Sequence, residues 1–96
     1  MKYNLNEIKV LTAILKYARK HGLSKLNAPD VEDLLVEVTI SKIYMKKIVK
    51  KLKENELIEE GIKKGKNKTY IITTLGMKTL QEIKTNIIDK KTDIKV

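Results

Sequence analysis

The sequence predicts a mainly α domain with one small β-hairpin, an α+β arrangement in the order helix, helix, helix, hairpin, helix. Three observations predict it. Ile8, Leu11, Leu15 and Ala18 recur at helical spacing, with Ile14 beside them. Within VTISKIYMKKIVKKL, residues 38–52, a rotation of about 100° per residue sends Met45, Ile48, Val49 and Leu52 one way. It sends Ile43, Lys46, Lys47 and Lys50 the other way, with Lys42 and Lys51 on the flanks. Beyond Leu57 the helical period gives way to two short β-prone runs around a glycine-containing turn.

Each element has its own signals. Asn4 and Glu7 stand at capping-box spacing before helix 1, about 5–21, and Gly22 follows it where a left-handed residue costs least. After a connector over 23–28, Pro29 suits the first turn of helix 2, about 29–37. Asp30, Glu32 and Asp33 favour its positive end, and Val31, Leu34 and Leu35 are its buried side. Helix 3 spans about 41–55, with Thr39 or Ser41 as its cap. LIEEGI (57–62) and TYIIT (69–73) are the paired strands, and KKGKNK (63–68) is their turn, with Gly65 and Asn67 as turn residues. Thr73 or Thr74 caps helix 4, about 75–89, whose stripe is Leu80, Ile83 and Ile87. The polar tail over 90–96 is expected to fray. Residues 1–96 read as a single domain without internal repeats.

Composition narrows the function. Four tyrosines are the only aromatics, so the core is aliphatic. The formal charge is +9, and residues 42–68 hold ten lysines against four glutamates, which is +6 of that total. Such asymmetry points to a polyanionic partner. A membrane surface is the competing polyanion, but no apolar run approaches ~20 residues. The N-terminus lacks a signal-peptide pattern, so a cytoplasmic protein is expected. The absence of cysteine excludes disulfides and thiolate metal sites, and no cofactor is expected. Arg19 is the only arginine, so bidentate reading of guanine is nearly out of reach. His21, the only histidine, stands at a helix end where a positive ring suits the dipole. There is no phosphate-cradling glycine loop and no Ser/His/Asp set, so an enzyme is not expected.

Three stretches carry a resemblance. They are VTISKIYMKKIVKKL, then LKENELI (52–58), then YIITTLG (70–76) followed by Leu80. In that order and spacing they resemble the winged helix-turn-helix of MarR- and PadR-type transcriptional regulators, over roughly residues 8–83. In this resemblance helix 3 is the recognition helix and the hairpin is the wing. Two departures stand out. Glu56 occupies a position where the family usually has glycine, so Asn55 is expected to take the left-handed conformation in its place. Glu59 and Glu60 stand where an arginine is frequent, which leaves close phosphate contact to the lysines of the wing tip.

The expected function is transcriptional regulation by a homodimer that binds double-stranded DNA. Lys42, Ile43, Lys46, Lys47 and Lys50 would face the major groove, with Lys51 on the flank. Thr39 and Ser41 would meet a phosphate near the helix start, and Lys63, Lys64, Lys66 and Lys68 would lie on the backbone or in the minor groove. Ile43 has two readings: contact with thymine methyls, or packing against helix 2. Tyr44 likewise either bonds a phosphate or packs at the domain edge. Leu80, Ile83, Ile87 and Ile88 would form the dimer interface. A chromatin-type protein that binds DNA without sequence preference and an RNA-binding winged helix are the alternatives.

Overall fold

The computed structural model describes the backbone of residues 3–95 and the side chains of residues 3–84. The first helix, α1 (Leu5–His21), begins where expected. Asn4 Oδ1 accepts from the Glu7 amide and Glu7 Oε1 accepts from the Asn4 amide, both at 2.9 Å, closing the capping box. Val10, Leu11, Ile14 and Leu15 are its buried face. A short 3-10 turn (Lys25–Asn27) leads to α2 (Val31–Glu37).

Pro29 does not enter α2. Asp30 is the N-cap and forms a second capping box with Asp33, while the Pro29 carbonyl accepts from the Tyr70 amide at 2.9 Å. The reason is pairing: the backbone at Pro29 and Asp30 lies beside the returning wing strand, with Asp30 bridged to Thr69.

Ser41, not Thr39, caps α3 (Lys42–Glu54), its hydroxyl accepting from the Tyr44 amide at 3.1 Å. Met45, Ile48, Val49 and Leu52 are buried, as the wheel requires. The C-terminus of α3 differs from expectation. Asn55 has φ −86, and Glu56 itself takes the left-handed conformation at φ 62. The Leu57 amide reaches back to the Leu52 carbonyl and the Glu56 amide to the Lys53 carbonyl, each at 3.0 Å. This is the Schellman bond pair, and it requires the left-handed residue one place later than Asn55. Leu52 and Leu57, the apolar pair that accompanies such a cap, are both buried.

The wing is smaller than its sequence signals. β1 (Ile58–Glu60) and β2 (Tyr70–Ile72) pair antiparallel, with Glu59 opposite Ile71. Beyond a looser stretch, Lys64 and Asn67 pair again around Gly65 and Lys66. Gly65 has φ +59 and Lys66 does not share a positive φ, which is the pattern of a type II′ turn.

Thr73 caps α4 (Thr74–Lys95), its hydroxyl accepting from the Gly76 amide at 3.0 Å and donating to the Glu56 carbonyl at 2.7 Å. Gly76 is there for space: a Cβ on it would sit 2.2 Å from the Leu57 carbonyl oxygen. The helical backbone of α4 continues to Lys95, past the tail expected to fray, through a stretch without proline or glycine. α1 lies at the centre, against α2, α3, α4 and β2. The core is aliphatic, filled by Leu11, Ile14, Leu34, Met45, Ile48, Leu52, Ile58 and Leu80.

Leu80 and Ile83, expected at a dimer interface, are packed inside the fold. Both are buried within the single chain, and Leu80, 2% exposed, belongs to the main core. The start of α4 is pinned to Leu57 and Glu56, which turns this stripe toward the chain's own core. Ile87 and Ile88 lie outside the residues whose side chains are described.

Candidate nucleic-acid interface

The outward side of α3 faces the hairpin across a groove. Lys42, Lys46, Lys50 and Lys53 line one wall, Lys66, Asn67 and Lys68 the other, and Val31, Val49 and Tyr70 lie between them. Burial of Met45, Ile48, Val49 and Leu52 sets the rotation of α3 and leaves these lysines outward. Glu32 at the first turn of α2 closes one end. Five of the lysines expected to meet nucleic acid, Lys42, Lys46, Lys50, Lys66 and Lys68, are thus brought together around one concave surface. Lys47 and Lys63 are exposed outside the groove lining. Thr39 is exposed; Ser41 is exposed too, but its hydroxyl is engaged in the α3 cap.

Ile43 is 72% exposed and is not among the hydrophobic residues packed against the core. It stands next to Lys42 as an apolar side chain with no role in the core, so the packing reading is set aside. Tyr44 goes the other way: its ring packs half-buried against the core, and its hydroxyl accepts from Asn4 Nδ2 at 3.4 Å.

Two lysines expected to contact DNA are engaged inside the fold. Lys51 Nζ lies 3.1 and 2.9 Å from the two carboxylate oxygens of Glu7, whose side chain is only 8% exposed, and 5.4 Å from the centre of the Tyr3 ring. A carboxylate this buried needs a counter-charge, and the flank of α3 is where α1 can reach one. Lys64 turns from the wing tip toward the body, donating to Asp33 Oδ2 at 2.6 Å and to the Tyr17 hydroxyl at 3.2 Å. Its ammonium is also 5.3 Å from the centre of the Tyr17 ring. Asp33 raises the pKa of Lys64. Burial alone would raise the Asp33 carboxyl, but hydrogen bonds from Lys64 and the Asp30 backbone outweigh it and hold Asp33 below its ordinary value.

The acids at the base of the wing are not free to repel phosphate in the way their sequence position implies. Glu60 pairs with Lys53, and Glu59 Oε1 lies 3.6 Å from Lys25 Nζ. Lys42 pairs with Glu32 at 2.6 Å. Among the described residues Lys46, Lys47, Lys50, Lys63, Lys66 and Lys68 make no ion pair. Sequence reasoning missed Lys53, Glu32 and Asn67 as groove residues. Lys53 follows Lys46 and Lys50 at helical spacing and was legible; Glu32 and Asn67 arrive only through the tertiary contact between α2 and the wing. Asn67 Nδ2 donates to Asp30 Oδ2 at 3.2 Å, which ties the wing turn to the α2 cap.

This architecture is a winged helix-turn-helix, as the sequence resemblance implied. In fold the chain is similar to AF1382 from Archaeoglobus fulgidus, at a TM-score of 0.73 and 22% identity, covering 94% of this chain and 91% of that one. It is similar to the DNA-binding TubR fragment from Clostridium botulinum, at a TM-score of 0.62 and 27% identity, covering 86% and 99%. It is also similar to MepR, a transcription regulator of the Staphylococcus aureus multidrug efflux pump MepA, at a TM-score of 0.69 and 18% identity, covering 97% of this chain and 63% of MepR. This chain spans under two thirds of the length of MepR. No family model matches the sequence, and no curated protein matches it. Among the described residues no helix is long and apolar enough to cross a membrane.

Proposed function

We propose that this protein binds double-stranded DNA as a homodimeric transcriptional regulator. The observation that carries the reading is the groove between α3 and the wing, lined by lysines on both walls. α3 enters the major groove with Lys46, Lys47 and Lys50, and Lys66 and Lys68 lie along the adjacent backbone. Ile43, exposed beside them, meets thymine methyl groups. Six lysines without an ion-pair partner among the described residues imply that affinity falls with salt at a log–log slope of roughly −5 per subunit. MepR and the TubR fragment, a regulator and a DNA-binding fragment of like fold, support the same reading.

The surface that supports a dimer is the depression between α1 and α4, where Leu15, Ala18, Leu23 and Met77 lie beside Leu80 under a rim of Arg19, Gln81 and Lys84. Leu23 and Leu75, both exposed, extend it. Two recognition helices on such a dimer meet half-sites about one DNA turn apart.

The test is selection from a pool of random duplexes at near-physiological salt. A palindrome with half-sites about 10 base pairs apart supports the reading. A flat pool bound tightly and with salt sensitivity transfers it to a chromatin-type protein. Failure to bind duplex DNA overturns it and directs attention to RNA.

A further inference from the structure

Lys42, Lys46, Lys50 and Lys53 follow one another along α3 at intervals of four, four and three residues, and all line the groove. They are not equivalent. The two inner lysines make no ion pair among the described residues. The two outer ones are each held by a carboxylate from a different element, Lys42 by Glu32 of α2 and Lys53 by Glu60 of β1. Glu60 also feels the charges of Lys63 and Lys68. Glu32 and Glu60 accept hydrogen bonds from their lysines and hold them protonated, above the ordinary pKa. The ends of the row therefore carry a full positive and a full negative charge each, and a phosphate approaching there meets a neutral pair. The centre of the row and the facing Lys66 and Lys68 present uncompensated positive charge.

We propose that Glu32 and Glu60 are contact-limiting residues, which set how many phosphates the groove engages and thereby restrain its affinity for arbitrary nucleic acid. The proposal rests on the DNA-binding reading above and adds the boundary of the contact. A lysine already neutralised by a carboxylate releases no counterion from the nucleic acid, so it contributes nothing to the salt-dependent part of binding. Exposed pairs of this kind contribute little to folding, so their removal leaves the domain intact.

The experiment measures binding of the full chain to a labelled random-sequence duplex, from about 50 to about 400 mM salt. The variants are E32Q, E60Q and the double variant. Each substitution frees one lysine, so each steepens the log–log slope by about 0.9 and strengthens binding at about 0.15 M salt roughly fivefold. K42Q supplies the second arm: in that background E32Q does not steepen the slope, because the lysine it would free is gone. K53Q plays the same part for E60Q. Unchanged slopes in E32Q and E60Q, with wild-type protein binding normally, overturn this proposal and leave DNA binding standing. A steepening that persists in the K42Q and K53Q backgrounds also overturns it, because the effect then belongs to overall charge. Absence of binding by wild type and variants alike at about 50 mM salt overturns the DNA-binding reading, and this proposal with it.

Discussion

Glu56 shows how much one backbone angle asks of a residue. The Schellman cap of α3 needs a left-handed residue directly before Leu57, and Glu56 supplies it at φ 62 with a side chain that gains no hydrogen bond. An L-residue with a Cβ is disfavoured there by about 1–2 kcal/mol, part of which glycine returns as greater freedom in the unfolded chain. E56G is therefore expected to stabilise the protein by about 0.5–1 kcal/mol, read as a higher midpoint in urea at unchanged slope. Gly76 is the opposite case. Its missing Cβ is what lets α4 start against the Leu57 carbonyl, and a methyl 2.2 Å from that oxygen forces the two apart. G76A is expected to cost about 2–3 kcal/mol in the same measurement. Asn55 was the sequence-level candidate for the left-handed position because its residue type tolerates it. The structure chose by bond geometry: the Leu52 and Lys53 carbonyls had to find the next two amides after Asn55, whatever residue stood there.

At the scale of elements, α3 divides its lysines between the open groove and internal bracing. Lys51 satisfies the buried Glu7 of α1, whereas Lys46 and Lys50 have no internal partner among the described residues. K51Q is expected to lower stability by about 1–2 kcal/mol while leaving the salt slope of DNA binding unchanged. K46Q with K50Q is expected to leave the melting temperature within a degree or two and to flatten the slope by about two. Circular dichroism melts beside salt titrations separate the two outcomes. The wing is braced in a similar way, through Lys64 and Asp33. Folding lowers the Asp33 pKa below 3.8, so its stabilising contribution is present above that value and is lost as the pH falls through the folded-state pKa. Unfolding titrations from about pH 6 to about pH 3 are expected to show a steeper loss in wild type than in D33N. The limits of α1, the rotation of α3 and the existence of the hairpin were legible because periodicity and caps are local signals. The partners of Lys51 and Lys64 were not, since each ion pair joins residues more than thirty positions apart. A wheel places those lysines outward without showing which way their long stems fold back.

For the whole molecule, the lysine groove and the α1–α4 depression are built from different residues, so the proposed association and the proposed nucleic-acid binding are separable. Sedimentation at micromolar protein is expected to give twice the chain mass, and L23E with M77E to give the monomer while preserving weak, salt-sensitive DNA binding. A wild-type monomer at such concentrations would remove the dimer from the account. Order and fold class were readable at this scale because successive elements pack on one central helix, α1. The inward rotation of α4 was not, because an apolar stripe at helical spacing reads the same whether it faces its own core or a neighbour's. What turns the stripe inward is Leu57. Its carbonyl accepts from the Thr73 amide at 3.1 Å, lies against Gly76 and stands one residue before β1. The first turn of the last helix and the root of the hairpin thus share one joint with almost no slack. Any torque applied to α4 is delivered through that joint to the hairpin, and so to the width of the groove beside α3.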